Sequence, residues 1–153
     1  MSLPLHRRGL LTIGMGALAA TAWNGSPRPA FAAQNDSQEL IKKFTGGKTA
    51  TEGRVRLDLP EIAENGNTVP MTVAVESPMT EQSHVSDVLV VADGNPRGGI
   101  ATFHFSPASG SAEVNTRIRL AETQNVIAIA RMNDGSVFTT SKQVKVTIGG
   151  CGG

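Results

Sequence analysis

The chain is expected to fold as an immunoglobulin-like antiparallel β-sandwich of about seven strands, with a short N-terminal helix and a mobile C-terminal arm. Three observations lead there. From Arg54 onward the apolar residues recur with a period near 2, as half-buried strands require. The periodic stretches are short, fairly evenly spaced and separated by Gly, Asn and Pro turns. The third is the core material, which is almost wholly aliphatic: the 153 residues contain one Trp, no Tyr and five Phe. No Cys–Trp–Cys hallmark is present, so spacing and alternation carry the assignment.

The elements follow in order. Asp36 and Ser37 can cap a helix in which Leu40, Ile41 and Phe44 share a face and which Gly46-Gly47 stops. Val55 to Leu59 alternates apolar and charged residues and reads as a strand. Pro60 to Glu64 is expected to make one helical turn, closed by Asn65-Gly66. Val69 to Val75 is a strand whose Pro70 places it at an edge or opens it with an unpaired residue. Val85 to Ala92 is continuously apolar, as in a central strand covered on both faces. Asp93 to Gly99 is a loop, Ile100 to Phe105 a strand, and Ser106 to Ser111 another loop. Ala112 to Leu120 alternates again, and Asn125–Met132 and Val137–Ile148 flank the hairpin turn Asn133-Asp134-Gly135-Ser136.

The first 32 residues are expected to be a signal peptide. A basic start ending in Arg7-Arg8 precedes an uncharged apolar run from Gly9 to Ala22, and Ala30-Phe31-Ala32 fits a signal peptidase site. The run is shorter than the about 20 residues that span a bilayer, so no membrane anchor is expected in the mature form. Adjacent arginines before a weakly apolar Gly- and Ala-rich segment indicate the twin-arginine route to the periplasm; an ordinary secretion signal is the alternative. Cleavage would leave Ala33 first. Three arginines go with the leader, Arg7, Arg8 and Arg28, so Lys+Arg falls from 14 to 11 against 13 acidic residues and the formal charge becomes −2. Without a basic tract, nucleic-acid binding has no electrostatic support. The sandwich would occupy residues 33–148 and the arm residues 149–153.

Chemistry is expected at one place. An exported chain with a single cysteine cannot close an internal disulfide, and that cysteine sits in Gly149-Gly150-Cys151-Gly152-Gly153. Glycine carries no Cβ, so ordering the pentapeptide costs entropy and brings no packing; in isolation it should be mobile. Three residues beyond the last strand give Cys151 a reach of roughly 10 Å, on a chain slim enough for a narrow channel. No basic side chain lies within five residues of Cys151, so little should depress its thiol pKa below the usual value of about 8.5. A tethered, unactivated thiol suits a site where cargo is attached by other proteins. An incidental free thiol on a frayed tail and an intermolecular disulfide are the alternatives. His84 and His104 lack the further ligands of a zinc site, and His104, between Phe103 and Phe105, reads as a satisfied histidine on a strand face. No nucleophile-elbow, haem-attachment, zincin or P-loop pattern occurs, and no cofactor is expected.

These features together resemble the SoxY family, the sulfur-carrier subunit of the bacterial thiosulfate-oxidising (Sox) system. The terminal Gly-Gly-Cys-Gly-Gly carries most of the likeness, and Ile62 to Val69 (Ile-Ala-Glu-Asn-Gly-Asn-Thr-Val) is also similar to the family. The resemblance implies that Cys151 is the covalent attachment site and the four arm glycines its flexible tether. It implies a carrier with no catalysis of its own. A haem protein would join thiosulfate to the cysteine, a hydrolase would release sulfate, and a sulfur dehydrogenase would oxidise the sulfane sulfur left behind. It also implies a heterodimer with a SoxZ-like sandwich subunit that lacks its own signal, which gives a reason for exporting a folded pair. Two other readings remain open from the residues. One is a ubiquitin-like thiocarboxylate carrier, which would be cytosolic and need no cysteine. The other is a structural or chaperone-like exported sandwich with an idle cysteine tail.

Overall fold

A computed structural model describes residues 35–150. The signal-peptide reading of residues 1–32 and the positions of Cys151, Gly152 and Gly153 lie outside them. In chain order the elements are α1 (Ser37–Thr45), β1 (Thr51–Glu52), β2 (Val55–Asp58), β3 (Ile62–Asn65), β4 (Val69–Val75), β5 (Val85–Ala92), β6 (Gly99–His104), β7 (Ala112–Ile118), β8 (Gln124–Met132) and β9 (Val137–Ile148). A single 3-10 turn at Pro107–Ser109 fills the loop before β7.

Two sheets form the sandwich. One runs β1-β9-β8-β5-β6 with β3 also paired to β9; the other runs β2-β4-β7. Between them lies an aliphatic core that takes Leu57, Met71 and Val73 from the smaller sheet and Val88, Val90, Val126, Ala128 and Val144 from the larger. Phe103, Phe105 and Phe138 pack against its margin. The continuous apolar run of β5 has a simple cause. Val88, Val90 and Ala92 point into this core, while Leu89 and Val91 point outward into a second cluster with Ile129 and Val137, roofed by Leu40, Ile41 and Phe44 of α1. Both faces of β5 are therefore dry.

Seven of the nine strands are those the alternation predicts. The β8–β9 hairpin turns through Asn133–Ser136 with Gly135 at φ 81°, and Asp134 Oδ1 accepts the Ser136 N–H at 2.8 Å. Three features differ from expectation, and Pro70 falls where one of its two expected placements put it. Residues 62–65 form strand β3, not a helical turn, because the segment has a parallel partner in β9 (Ala63 opposite Val146) and buries Ala63. With the parallel two-residue β1, it makes the sheet mixed where an all-antiparallel one was expected. Pro70 meets the second of its two expected placements: β4 is central, but Pro70 lies at the strand's opening without a β2 partner, because the β2 ladder ends at Asp58 opposite Thr72. Finally, Asp36 does not cap α1. Its backbone (φ −78°, ψ 6°) is not extended, so its carboxylate accepts from the Gly98 N–H at 2.6 Å, and Asn35 Oδ1 takes the Ser37 N–H at 2.9 Å. Gly46, at φ 63°, closes the helix as expected.

The stretch from β1 to β3 determines where β9 can be held. β1 lies along the start of β9 at Phe138–Thr139, the chain crosses to the other sheet as β2, and β3 returns to the end of β9 at Lys145–Ile148. The β9 edge facing away from β8 is thus covered at both ends, which protects it from pairing with another chain there.

Candidate functional site

The segment that delivers Cys151 begins where β8 stops. The β8–β9 ladder ends with Gln124 opposite Val144. Beyond it β9 is held by β3 in parallel register, by the Lys145 N–H donating to Glu61 O at 2.9 Å, and by the Val146 N–H donating to Thr123 Oγ1 at 2.9 Å. Ile148 points past the end of the core and is 67% exposed.

Three backbone hydrogen bonds then link three distant segments. The Gly66 N–H donates to Ile148 O (2.8 Å), the Leu120 N–H to Gly66 O (2.8 Å), and the Gly150 N–H to Leu120 O (2.9 Å). Leu120 has its side chain fully buried, so its carbonyl is a fixed acceptor. Packing at this point leaves no room for side chains. A Cβ on Gly66 would lie 2.1 Å from Leu120 O, and one on Gly149 would lie 2.0 Å from Ala121 O. Both obstacles are backbone atoms, so no rotamer change relieves them. A Cβ on Gly150 would meet Gly66 O at 3.0 Å. Of the four arm glycines, Gly149 and Gly150 are thus seated against the sandwich.

The loop that supplies Leu120 is itself fixed by a buried amide pair. Asn95, 4% exposed, donates through Nδ2 to Arg119 O (2.9 Å) and accepts at Oδ1 from the Ala121 N–H (2.9 Å) and Gln124 Nε2 (2.8 Å). Gln124 Oε1 takes the Gly94 N–H at 2.8 Å. Asn35 joins from the segment before α1, donating to Ala92 O (3.0 Å) and to Asn95 O. Each buried polar group here has a partner, as a low-dielectric site requires.

The histidines lie elsewhere. His104 stands on the outer side of β6 with its Nδ1 2.5 Å from Asp87 Oδ1, and Arg131 reaches Asp87 Oδ2 through Nη2 (2.6 Å) and Nε (3.1 Å) while lying over the Phe44 ring. Burial pushes the Asp87 carboxyl up, but the bonds from Arg131 and His104 outweigh it and hold it below its ordinary value. His84 Nδ1 contacts Thr80 O at 2.9 Å. Among the described residues, no three His, Cys, Asp or Glu side chains converge as a metal site would need.

Gly66, Asn95, Leu120 and Gln124 were not singled out from the sequence as site residues. For Gly66 a signal existed, since it lies inside the Ile62–Val69 stretch that resembles the SoxY family; for the others, separated widely in sequence, none did.

The fold and this site define a class: an immunoglobulin-like β-sandwich whose last strand runs into a glycine-flanked cysteine. The family described as "Sulfur oxidation protein SoxY" matches residues 41–151, and the chain belongs to it. The structure of the sulfur carrier protein SoxY from Chlorobium limicola f thiosulfatophilum is similar at 30% identity and a TM-score of 0.59, covering 72% of this chain and 96% of that one. Superoxide reductases share the architecture alone. Neelaredoxin from Ignicoccus hospitalis matches at 17% identity and TM-score 0.55, over 61% of this chain and 80% of its own. The Nanoarchaeum equitans enzyme matches at 15% and 0.54, over 63% and 100%. No curated protein matches the chain.

Proposed function

We propose that the protein is a periplasmic carrier that holds thiosulfate-derived sulfur covalently on Cys151 and presents it to separate enzymes of sulfur oxidation. One observation carries the reading: the SoxY family match runs to residue 151, the only cysteine in the sequence. The solved relative is itself described as a sulfur carrier protein.

In the chemistry proposed, the Cys151 thiol and the sulfane sulfur of thiosulfate form an S–S bond. The thiol proton is lost, and an electron pair passes to a haem-containing conjugating partner. Water then displaces the terminal sulfonate as sulfate under a hydrolase, leaving a persulfide whose outer sulfur a sulfur dehydrogenase oxidises. The carrier supplies a nucleophile and a place, and catalysis belongs to its partners. The thiol has no built-in activator in the sequence, which fits a thiol activated only in a partner's site.

Cys151→Ser should abolish thiosulfate turnover in the reconstituted system and leave the melting temperature unchanged, since a residue in the tail contributes little to stability. Normal turnover by the serine variant would remove the proposal. Export by the twin-arginine route and pairing with a SoxZ-like subunit complete it, supported by Arg7-Arg8, Ala30-Phe31-Ala32 and the family. Material purified from the periplasm should begin at Ala33 and sediment as a heterodimer; a start at Met1, or a strict monomer at micromolar concentration, would contradict those two parts.

A further inference from the structure

We propose that Gly66, Leu120 and Gly150 form a latch that fixes the base of the cysteine arm, so that the arm pivots at the Gly150–Cys151 junction and Gly66 is its positioning residue. The latch is the three-bond chain from Ile148 O through Gly66 and Leu120 to the Gly150 N–H. It ties the end of β9 to two segments that are 30 to 84 residues away in sequence. Such a closure is specific, because each contact requires the others to be in register.

The glycines at this point serve closeness. Neither Gly66, Gly149 nor Gly150 has the left-handed φ that only glycine adopts readily, while Gly46, Gly53, Gly110 and Gly135 do. What Gly66 and Gly149 need is the missing Cβ, since an added one would fall about 2 Å from a carbonyl oxygen. A glycine chosen only to loosen a tether would be solvated and without close neighbours. Gly150 is buried and donates a hydrogen bond. The buried Asn95–Gln124 pair holds the Leu120 segment from behind, so the acceptor cannot follow the arm outward.

The consequence concerns reach. A tether hinged after Ile148 has two more residues of play than one hinged after Gly150, a difference of roughly 7 Å at 3.3–3.6 Å per residue. With the latch shut, the tether starts from a fixed Gly150, the residue next to Cys151 in the sequence. An enzyme that reaches the sulfur must then approach the end of the sandwich formed by Gly66, Leu120 and Ala121. This consequence rests on the carrier reading; the latch does not.

The test is amide hydrogen exchange by NMR on the cleaved full chain, together with electron paramagnetic resonance of a nitroxide attached to Cys151. In the wild type the Gly150 amide should exchange at least about tenfold more slowly than an unstructured glycine. Gly66→Ala should erase that protection and sharpen the nitroxide spectrum while the amides of β5 and β8 stay protected. Gly152→Ala, beyond the latch, should change neither readout. Cys151→Ser should keep Gly150 protected whether or not thiosulfate turnover is lost, which separates failure of the latch from failure of the carrier proposal. The inference is overturned if wild-type Gly150 exchanges freely, or if Gly66→Ala leaves exchange and spectrum unchanged. Should Gly66→Ala not fold, the wild-type rate and Gly149→Ala, which meets Ala121 instead, decide the question in the same way.

Discussion

The two halves of β9 are held by different chemistry. From Val137 to Val144 the strand pairs with β8 along its length, and Val137 and Val144 are buried on opposite faces. From Lys145 to Gly150 it has passed the end of β8, Ile148 is largely exposed, and backbone hydrogen bonds to β3, Thr123, Gly66 and Leu120 keep it in place. Area buried secures the first half; complementarity of donors, acceptors and missing Cβ atoms secures the second. Fold stability and arm placement are therefore expected to respond to different substitutions.

The largest loss of stability should come from the inter-sheet core. Met71 is 2% exposed, and Met71→Ala should cost roughly 2–5 kcal/mol in denaturant unfolding through lost burial and a cavity. If the comparison is right, the Gly150 amide in that variant keeps its protection under conditions where the chain is still folded. A selective loss at Gly150 would join the two halves into one unit.

A smaller effect, at a place where the two halves meet, is expected from Asn95→Ala. It strands Arg119 O and the Ala121 N–H, each costing on the order of 1–3 kcal/mol if left unpaired and less where water enters, while Gln124 Nε2 keeps its bond to Glu122 O. Here a modest drop in stability should come with faster exchange at Gly150, because the Leu120 carbonyl loses its support. Unchanged exchange would show that the latch needs no such backing.

The smallest effect is electrostatic and far from the arm. Asp87 is mostly buried and its carboxyl is held below the ordinary value, so folding releases a proton from it in the acid range. Its contribution is fully present above the unfolded value of about 3.9 and fades as pH falls through the folded value. Asp87→Asn should cost on the order of 1 kcal/mol at pH 7, with the gap to wild type narrowing steadily below about pH 4. Thiol chemistry at Cys151 should not change. A gap that is constant with pH would mean that the ion pairs to Arg131 and His104 add nothing beyond packing.

Much of the sandwich was legible because alternation is a local signal. The strands at 69–75, 85–92 and 137–148, the Asn133–Ser136 turn and the Gly46 stop all announce themselves within a few residues. The illegible parts depend on partners distant in sequence. Ile62-Ala63-Glu64-Asn65 follows a proline and has one buried side chain, so nothing local distinguishes a turn from a strand; the parallel partner 83 residues later decides it. Pro70 signals a missing donor but not which neighbour is absent. The arm shows the same limit at the site. Glycine for freedom and glycine for close approach are the same letter, and the carbonyls of Leu120 and Ala121 that distinguish them are not adjacent in the chain. The cysteine itself is a local pattern by contrast, a single thiol among four glycines, and it is this pattern on which the proposed chemistry rests.

The most direct test of the account is the mass of the protein after incubation with thiosulfate and the partner enzymes, followed by fragmentation of its C-terminal peptide. The account predicts a sulfur-containing adduct on Cys151 that disulfide reductants remove and that Cys151→Ser does not acquire. An unmodified cysteine during active turnover, or an adduct mapped to any other residue or to the terminal carboxylate, would contradict it.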